Sequence, residues 1–384
     1  MINKPVYADN AATTRMSDDV LQEMLPYFTE TWGNPSAVYR TGRNAHQAIE
    51  DARRRIAAII GAGPMDIYFT SCGTEADNWA LKGTARKLRA KEGKKHIATT
   101  AIEHHAILHS CEALEREGFE VTYLPVDEKG RVTAQQVKDA IRDDTAIVSV
   151  MYANNELGTI EPIAEIGKLC REAGVLFHTD AVQAAGILPV DVERDSIDMM
   201  SVSAHKFNGP KGVGFLYCRR NVHPETFMDG GAQERGHRAG TENVAGIVGM
   251  AKAFEDAAAY KADLAPKLAA MRDHIQAGLL EIPDCRVNGD QENRLPGTLN
   301  VSFPGIDGQS LLFSLDLKGV EASSGSACAS GSLDPSHVLM AIGLPYTMAH
   351  GSLRITVGRY NTMEEADYII RAVKETVAEL RNKQ

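Results

Sequence analysis

The chain has 384 residues, of which 43% are hydrophobic and 24% charged, enough for one large buried core and a smaller second one. A formal charge of −10 argues against a general nucleic-acid surface, and no run of about 18 apolar residues is present to span a membrane. The opening Met1-Ile2-Asn3-Lys4-Pro5 lacks a signal-peptide core and the six cysteines form no CxxC pair, so a cytoplasmic, reducing setting is expected, without a spaced zinc motif or disulfide framework.

From about residue 15 to 260, helix and strand alternate. A helical pattern over Arg43–Ile60 precedes a predicted strand at Asp66–Thr70, and a predicted helix from Thr74 to Arg86 leads to a strand at His96–Thr100. A helix over Ala106–Glu117 is followed by strands at Val121–Leu124 and Ala146–Met151. Pro162 and Gly174 bracket a predicted helix over Ile163–Ala173. Strands at Val175–Thr179 and Ile197–Ser203 come next, and the turn Asn208-Gly209-Pro210-Lys211 sends Gly212–Cys218 back antiparallel to its neighbour. Such alternation predicts an α/β fold with a mostly parallel sheet covered by helices.

After a long helical stretch, Val244–Leu280, the pattern changes. Strands are predicted at Gly297–Phe303, Gly319–Ala322 and Ser352–Val357, with helices near Gln309–Leu317, Ser336–Ile342 and Met363–Leu380. Thr362 and Glu365 are spaced as a capping box for the last of these. The expected organisation is a large domain over 15–260 and a smaller α+β domain built from 1–14 and 261–384.

The chemistry concentrates at strand ends. Ser203-Ala204-His205-Lys206 follows one predicted strand, and Asp180 and Gln183 follow another. A lysine to attach an aldehyde, an Asp to keep a pyridine nitrogen protonated, and hydroxyls and amides to hold a phosphate are the set pyridoxal phosphate needs. Such strand ends can lie side by side at the carboxyl edge of one sheet, where α/β folds bind ligands. A lone lysine after a strand is ordinarily a surface residue, so the neighbours carry the inference.

Thr70-Ser71-Cys72-Gly73-Thr74-Glu75 joins a strand to a helix and reads as a phosphate cradle, Gly73 allowing close backbone approach and Thr74 offering a hydroxyl. His104 ends the next strand, where an imidazole can stack on a flat ring and move protons near neutral pH, or simply open a helix. Asn155 follows the predicted strand Ala146–Met151, where an amide can hydrogen-bond a phenolic oxygen. Gly230–Asn243 has the composition of a solvated loop, although Arg235-Gly236-His237-Arg238 within it is a candidate basic pocket. Arg354 sits inside an apolar strand, where a substrate carboxylate or a structural ion pair would each satisfy it. Cys170 and Cys218 lie in apolar patterns and read as core, whereas Cys328 lies in the small-residue stretch Ser323–Ser332, which reads as a mobile loop.

Together these residues resemble class V of the pyridoxal phosphate enzymes, and within it the cysteine desulfurases of the NifS/IscS type. The motifs that carry the resemblance run through nearly the whole chain: Tyr7–Thr14, Gly33–Ser36, Gly73–Asn78, Glu103-His104, Asn154–Glu156, His178–Gln183, Ser203–Lys206, Arg235–Thr241, Ser323–Ser330 and Arg354. The resemblance implies a fold-type I transferase in which Lys206 carries pyridoxal 5'-phosphate covalently, Asp180 pairs with the pyridine nitrogen and His104 stacks on the ring. It implies that Asn155 and Gln183 bond the phenolic oxygen, with Asn155 also near the substrate. Gly73, Thr74, Ser203 and His205 would hold the phosphate, with Thr241 entering from the other subunit of a homodimer, and Arg354 would bind the substrate carboxylate.

Cys328 matches the sulfur-accepting cysteine, so the implied reaction converts L-cysteine to L-alanine through an enzyme persulfide. The implied partner is an iron–sulfur scaffold or another sulfur acceptor, with no resident metal, no nucleic acid and no membrane; Cys328 would at most touch a cluster held by that partner. A selenocysteine lyase, another class V aminotransferase, or a silent scaffold homologue are the alternatives. Cys72 departs from the pattern, standing where many relatives have glycine.

Overall fold

The structure, a computed structural model, describes residues 5–324 and 335–382. Strand β1 (Val6–Tyr7) opens it. Seven strands then build the main sheet: β2 (Ile67–Thr70), β3 (His96–Thr100), β4 (Glu120–Leu124), β5 (Thr145–Ser149), β6 (Leu176–Asp180), β7 (Met199–Ser203) and β8 (Gly214–Cys218). Their spatial order is β2-β8-β7-β6-β5-β3-β4. Only β8 runs against the others, antiparallel to both β7 and β2, as the turn at Asn208–Lys211 foretold. Six carboxyl ends therefore reach the same edge.

Side chains alternate between two cores, one on each face of this sheet. Ile67 and Phe69 join the helices Arg40–Ile59 and Val244–Leu279 through Ile49, Ile56, Met250 and Phe254. Tyr68 between them faces the opposite way, onto Trp79, Leu81, Ile107 and Leu114. With both faces covered, every residue of β2, β3, β5, β7 and β8 is buried, whereas edge strand β4 is largely open.

The remaining strands are β9 (Arg286–Asn288), β10 (Thr298–Ser302), β11 (Val320–Glu321) and β12 (Ser352–Thr356). An antiparallel β12-β10-β9 sheet packs Leu299, Val301, Leu353 and Ile355 against Leu268, Met271, Ile275 and Leu279, and against Ile369, Val373 and Val377 of the helix Met363–Arg381. The single helix Val244–Leu279 thus serves both cores, changing allegiance between Ala257 and Leu268 around Pro266. β1 pairs in parallel with β11, which places Val6 and Ala8 in the second core.

Two departures from the expected elements have physical causes. The helix expected over Thr74–Arg86 is interrupted: an α-helix Gly73–Asn78 passes into a π-helical turn Trp79–Gly83 and then into Thr84–Glu92. The widened turn accompanies the seating of Trp79, almost wholly buried, with its indole N–H donating to the Glu225 carbonyl at 2.8 Å. The short helices Asp18–Met24 and Ala134–Ala140 are additions. Both carry a legible cap, Ser17 for the first and the Thr133/Gln136 capping box for the second.

Candidate active site

At the shared carboxyl edge lies a cavity of about 370 Å³. The end of β2 brings Cys72, Gly73 and Thr74, and the end of β3 brings His104. The end of β5 brings Asn155, β6 brings Asp180 and Gln183, and β7 brings Ser203, His205 and Lys206. Arg354 comes from β12, and Ala11 and Ala12 from the segment after β1. Ten expected site residues thus share one space, with Cys72 beside them. Thr241 lies outside the lining of its own chain's cavity, and Cys328 lies outside the described residues.

Lys206 ends a 3₁₀ turn that follows β7, and its Nζ donates to the carbonyls of Ala11 at 2.5 Å and Ala12 at 2.9 Å. Gln183 Nε2 donates to the same Ala11 carbonyl at 3.0 Å. His205 Nδ1 lies 3.0 Å from Thr13 Oγ1. The N-terminal segment is therefore part of the site wall, a role its sequence did not announce.

Asp180 and Asp77 are neighbouring buried carboxyls. Burial pushes Asp180 up, whereas the Val182 N–H, 2.9 Å from its Oδ1, and the Lys206 ammonium pull it down. Asp77 is raised by burial and by the charge on Asp180, and its Oδ1 has no hydrogen-bond partner among the described residues. We assign the negative charge to Asp180, beside the Val182 N–H and the Lys206 charge, and the proton to Asp77, where burial outweighs the Ser201 hydroxyl. Asp77 had no role in the sequence reading; its signal was an acid one turn beyond Gly73. Beneath them His178 bonds Ser149 Oγ and Ser201 Oγ, both at 2.9 Å, and burial pushes it down to about 3, so it is neutral.

His104 caps the helix His105–Arg116, with Nδ1 accepting the Ala106 N–H at 3.1 Å. Because that backbone group can only donate, the ring proton is on Nε2. Burial, with the Lys206 charge second, pushes His104 down to about 4. His104 thus opens a helix, as one reading of its sequence allowed, and also lines the cavity, where burial favours the neutral ring.

Arg354 makes a structural ion pair, one of the two resolutions left open for it. It lines the cavity and is buried, yet donates to Asp9 Oδ1 at 2.8 Å and to the Asn155 carbonyl at 2.9 Å. Its Nε has no partner among the described residues. Ser323 exchanges backbone hydrogen bonds with Arg354 at 2.6 and 3.2 Å. Ser336 Oγ donates to buried Glu156 at 2.5 Å. Both flanks of residues 325–334 are thus tied beside Asn155 and Arg354.

The candidate basic pocket is not one. Arg238 is paired with Glu75, and Arg235 donates to the Ile67 carbonyl while lying 3.9 Å from the centre of the Tyr68 ring. Both charges are already used by the fold.

The family described as Aminotransferase class-V matches residues 6–369. The chain belongs to this family. Among class V proteins, it is 52% identical to "Cysteine desulfurase IscS" of Methanosarcina thermophila over 380 residues, covering 99% of this chain and 94% of that one. It is 48% identical over 381 residues to the protein of the same name from Dictyoglomus turgidum, covering 99% and 96%. Two similar solved structures are a "NifS-like protein" with TM-score 0.92, 40% identity and coverage of 98% and 100%, and a NifS-like protein from Rickettsia africae with TM-score 0.88, 28% identity and coverage of 97% and 99%. The α/β architecture expected from the alternation of elements is therefore the one these class V relatives share.

Proposed function

We propose that this chain is a pyridoxal 5'-phosphate-dependent cysteine desulfurase, converting L-cysteine to L-alanine and supplying the sulfur to an acceptor for iron–sulfur or other thio-cofactor assembly. The observation that carries the reading is the convergence of Lys206, Asp180 and His104 on one cavity, in a chain half identical to proteins named cysteine desulfurase.

The cavity suits this cofactor. Its volume is in the range of small-molecule sites. Ser203 Oγ is buried there without a hydrogen-bond partner among the described residues, an orphan that a phosphate oxygen would satisfy. A Cβ on Gly73 would lie 2.6 Å from Val182 Cγ2, so only glycine lets the cradle backbone come this close. When bound, pyridoxal phosphate would hold the substrate amine and draw electrons away from its Cα.

Lys206 Nζ would hold the cofactor's aldehyde carbon and would also serve as the base that removes the Cα proton. Asp180, ionised among its donors, would face the pyridine nitrogen, with neutral His104 against the ring. Asn155 and Gln183 would take the phenolic oxygen, and Thr74, Ser203 and His205 the phosphate. Arg354 would receive the substrate carboxylate through its spare Nε. The Cys328 thiolate then attacks the substrate sulfur: an S–S bond forms, and the Cβ–S bond breaks with its electron pair left on carbon. Protonation of that carbon and return of a proton to Cα from Lys206 Nζ complete alanine, and the sulfur remains as a persulfide on Cys328.

We further infer a homodimer in which Thr241 serves the neighbouring site. In support, Phe28, Trp32, Val38 and Tyr39 are all exposed within one short stretch, more apolar surface than a solitary subunit ordinarily presents there. The five described cysteines are all free, which fits work in a reducing cytoplasm. Among the described residues no helix is long and apolar enough to cross a membrane. Incubation with L-cysteine and a reductant should yield alanine and sulfide in equal amounts. Absence of alanine would refute the reading, and preference for L-selenocysteine would redirect it to a lyase.

A further inference from the structure

Glu75 does not line the cavity, yet its carboxylate joins two parts of the molecule. Oε1 accepts from Arg238 Nε at 2.7 Å and Oε2 from Arg238 Nη2 at 3.1 Å, a two-bond fork. Oε2 also accepts from the Ser71 backbone N–H at 3.0 Å and from Ser71 Oγ at 2.5 Å. Ser71 directly precedes Cys72-Gly73-Thr74, the cradle at the end of β2. The pair is well covered, Arg238 being 20% and Glu75 10% exposed. Burial pushes the Glu75 carboxyl up, but Arg238 and the two Ser71 donors outweigh this and hold it below the ordinary range.

The loop that delivers Arg238 is itself held in a costly shape. Glu234 and Arg235 adopt φ of 45° and 59°, the left-handed region that side chains disfavour. Strand β2 explains how it persists. As an edge strand, β2 has backbone groups with no neighbour on its outer side. Buried Glu234 takes the Phe69 N–H at 3.0 Å and is forked by Arg53 at 2.8 and 2.9 Å. Arg53 and Arg235 both donate to the Ile67 carbonyl, at 2.7 and 2.8 Å. The loop is thus fastened at positions 67, 68 and 69, and Arg238 then reaches position 71 through Glu75.

We propose that Arg238 and Glu75 are positioning residues for the cofactor's phosphate, with the Arg238–Glu75–Ser71 link setting the backbone of Cys72–Thr74 to receive it. The inference rests on the pyridoxal phosphate reading above. An ion pair that merely stabilised the fold would affect all ligands of the cavity alike. A link that sets the cradle affects the phosphate alone.

The test uses the full chain stripped of cofactor, with dissociation constants for pyridoxal 5'-phosphate and for pyridoxal, which lacks the phosphate, read by fluorescence quenching. In Glu75→Gln and Arg238→Gln the phosphorylated ligand should bind about tenfold more weakly, equivalent to roughly 1.4 kcal/mol, while pyridoxal affinity stays unchanged. Arg238→Lys, which keeps the charge but not the fork, should fall between these and the wild type. Unchanged affinity for pyridoxal 5'-phosphate, or equal loss for both ligands, overturns the positioning role alone. A wild-type chain that binds neither ligand overturns the cofactor reading, and this role with it.

Discussion

Arg354 and Asp9, 345 positions apart, form an ion pair at 2.8 Å that joins the N-terminal segment to β12. The guanidinium also holds the Asn155 carbonyl, so three distant pieces of chain are fixed by one side chain. Lysine cannot reproduce this, because its ammonium is a single point of charge without a planar fork. Arg354→Lys should therefore raise KM for L-cysteine by about tenfold or more, the worth of one charge-assisted hydrogen bond, and leave cofactor retention intact. An unchanged KM in steady-state kinetics would remove Arg354 from substrate binding.

Lys206→Ala should abolish covalent attachment. The purified wild type should be yellow, and borohydride should bleach its visible band. The variant should lack that band, form no alanine and retain the cofactor poorly, because the groups that remain only hold it non-covalently. A variant with an unaltered spectrum would disprove the assignment.

The cysteines should separate by environment. Cys111, Cys170 and Cys218 are buried, and burial raises each thiol well above the ordinary value, so they are poor nucleophiles. Cys72 lines the cavity and is partly exposed, which makes it the competitor to watch. After a pulse of L-cysteine, mass spectrometry should locate the extra sulfur on Cys328, and Cys328→Ser should keep its colour while losing nearly all sulfur release. Extra sulfur on Cys72, together with full activity of Cys328→Ser, would defeat the proposed transfer.

Glu103 should impose a pH dependence on stability. It is fully buried, its Oε1 accepts from Thr100 Oγ1 at 2.7 Å and the Met151 N–H at 2.9 Å, and burial pushes the carboxyl from 4.5 up to about 8. Between those values the folded chain keeps a proton that the unfolded chain releases. Its contribution is therefore complete below about pH 4.5 and is lost as pH rises toward 8, by at most about 1.4 kcal/mol per unit. Urea unfolding at pH 5, 6.5 and 8 should show this decline in the wild type and a flatter profile in Glu103→Gln. Parallel profiles would show that Glu103 is already ionised.

The proposed dimer carries its own check. Sedimentation should give a two-chain species, and Trp32→Glu with Tyr39→Glu should shift it toward the monomer and weaken cofactor retention through loss of the neighbour's Thr241. A fully active monomer would eliminate the shared site.

Much of the site could be read from sequence because its signals are local. Ile163–Ala173 has the predicted limits, since Pro162 and a left-handed Gly174 act within a residue of the helix they bound. His96–Thr100 likewise has its predicted limits. Polar residues placed just past apolar strands pointed to one sheet edge before any strand order was known. What the sequence could not reveal depends on partners far away along the chain. Composition made Gly230–Asn243 a solvated loop, but the spare backbone groups of edge strand β2 recruit Glu234 and Arg235 to it from more than 160 positions off. Asp77 became the proton-holding partner of Asp180 only because helix Gly73–Asn78 packs on β7, beside β6. Local propensity acts over a few residues, whereas a buried charge is decided by whichever distant group the packing sets against it, and that choice belongs to the tertiary structure.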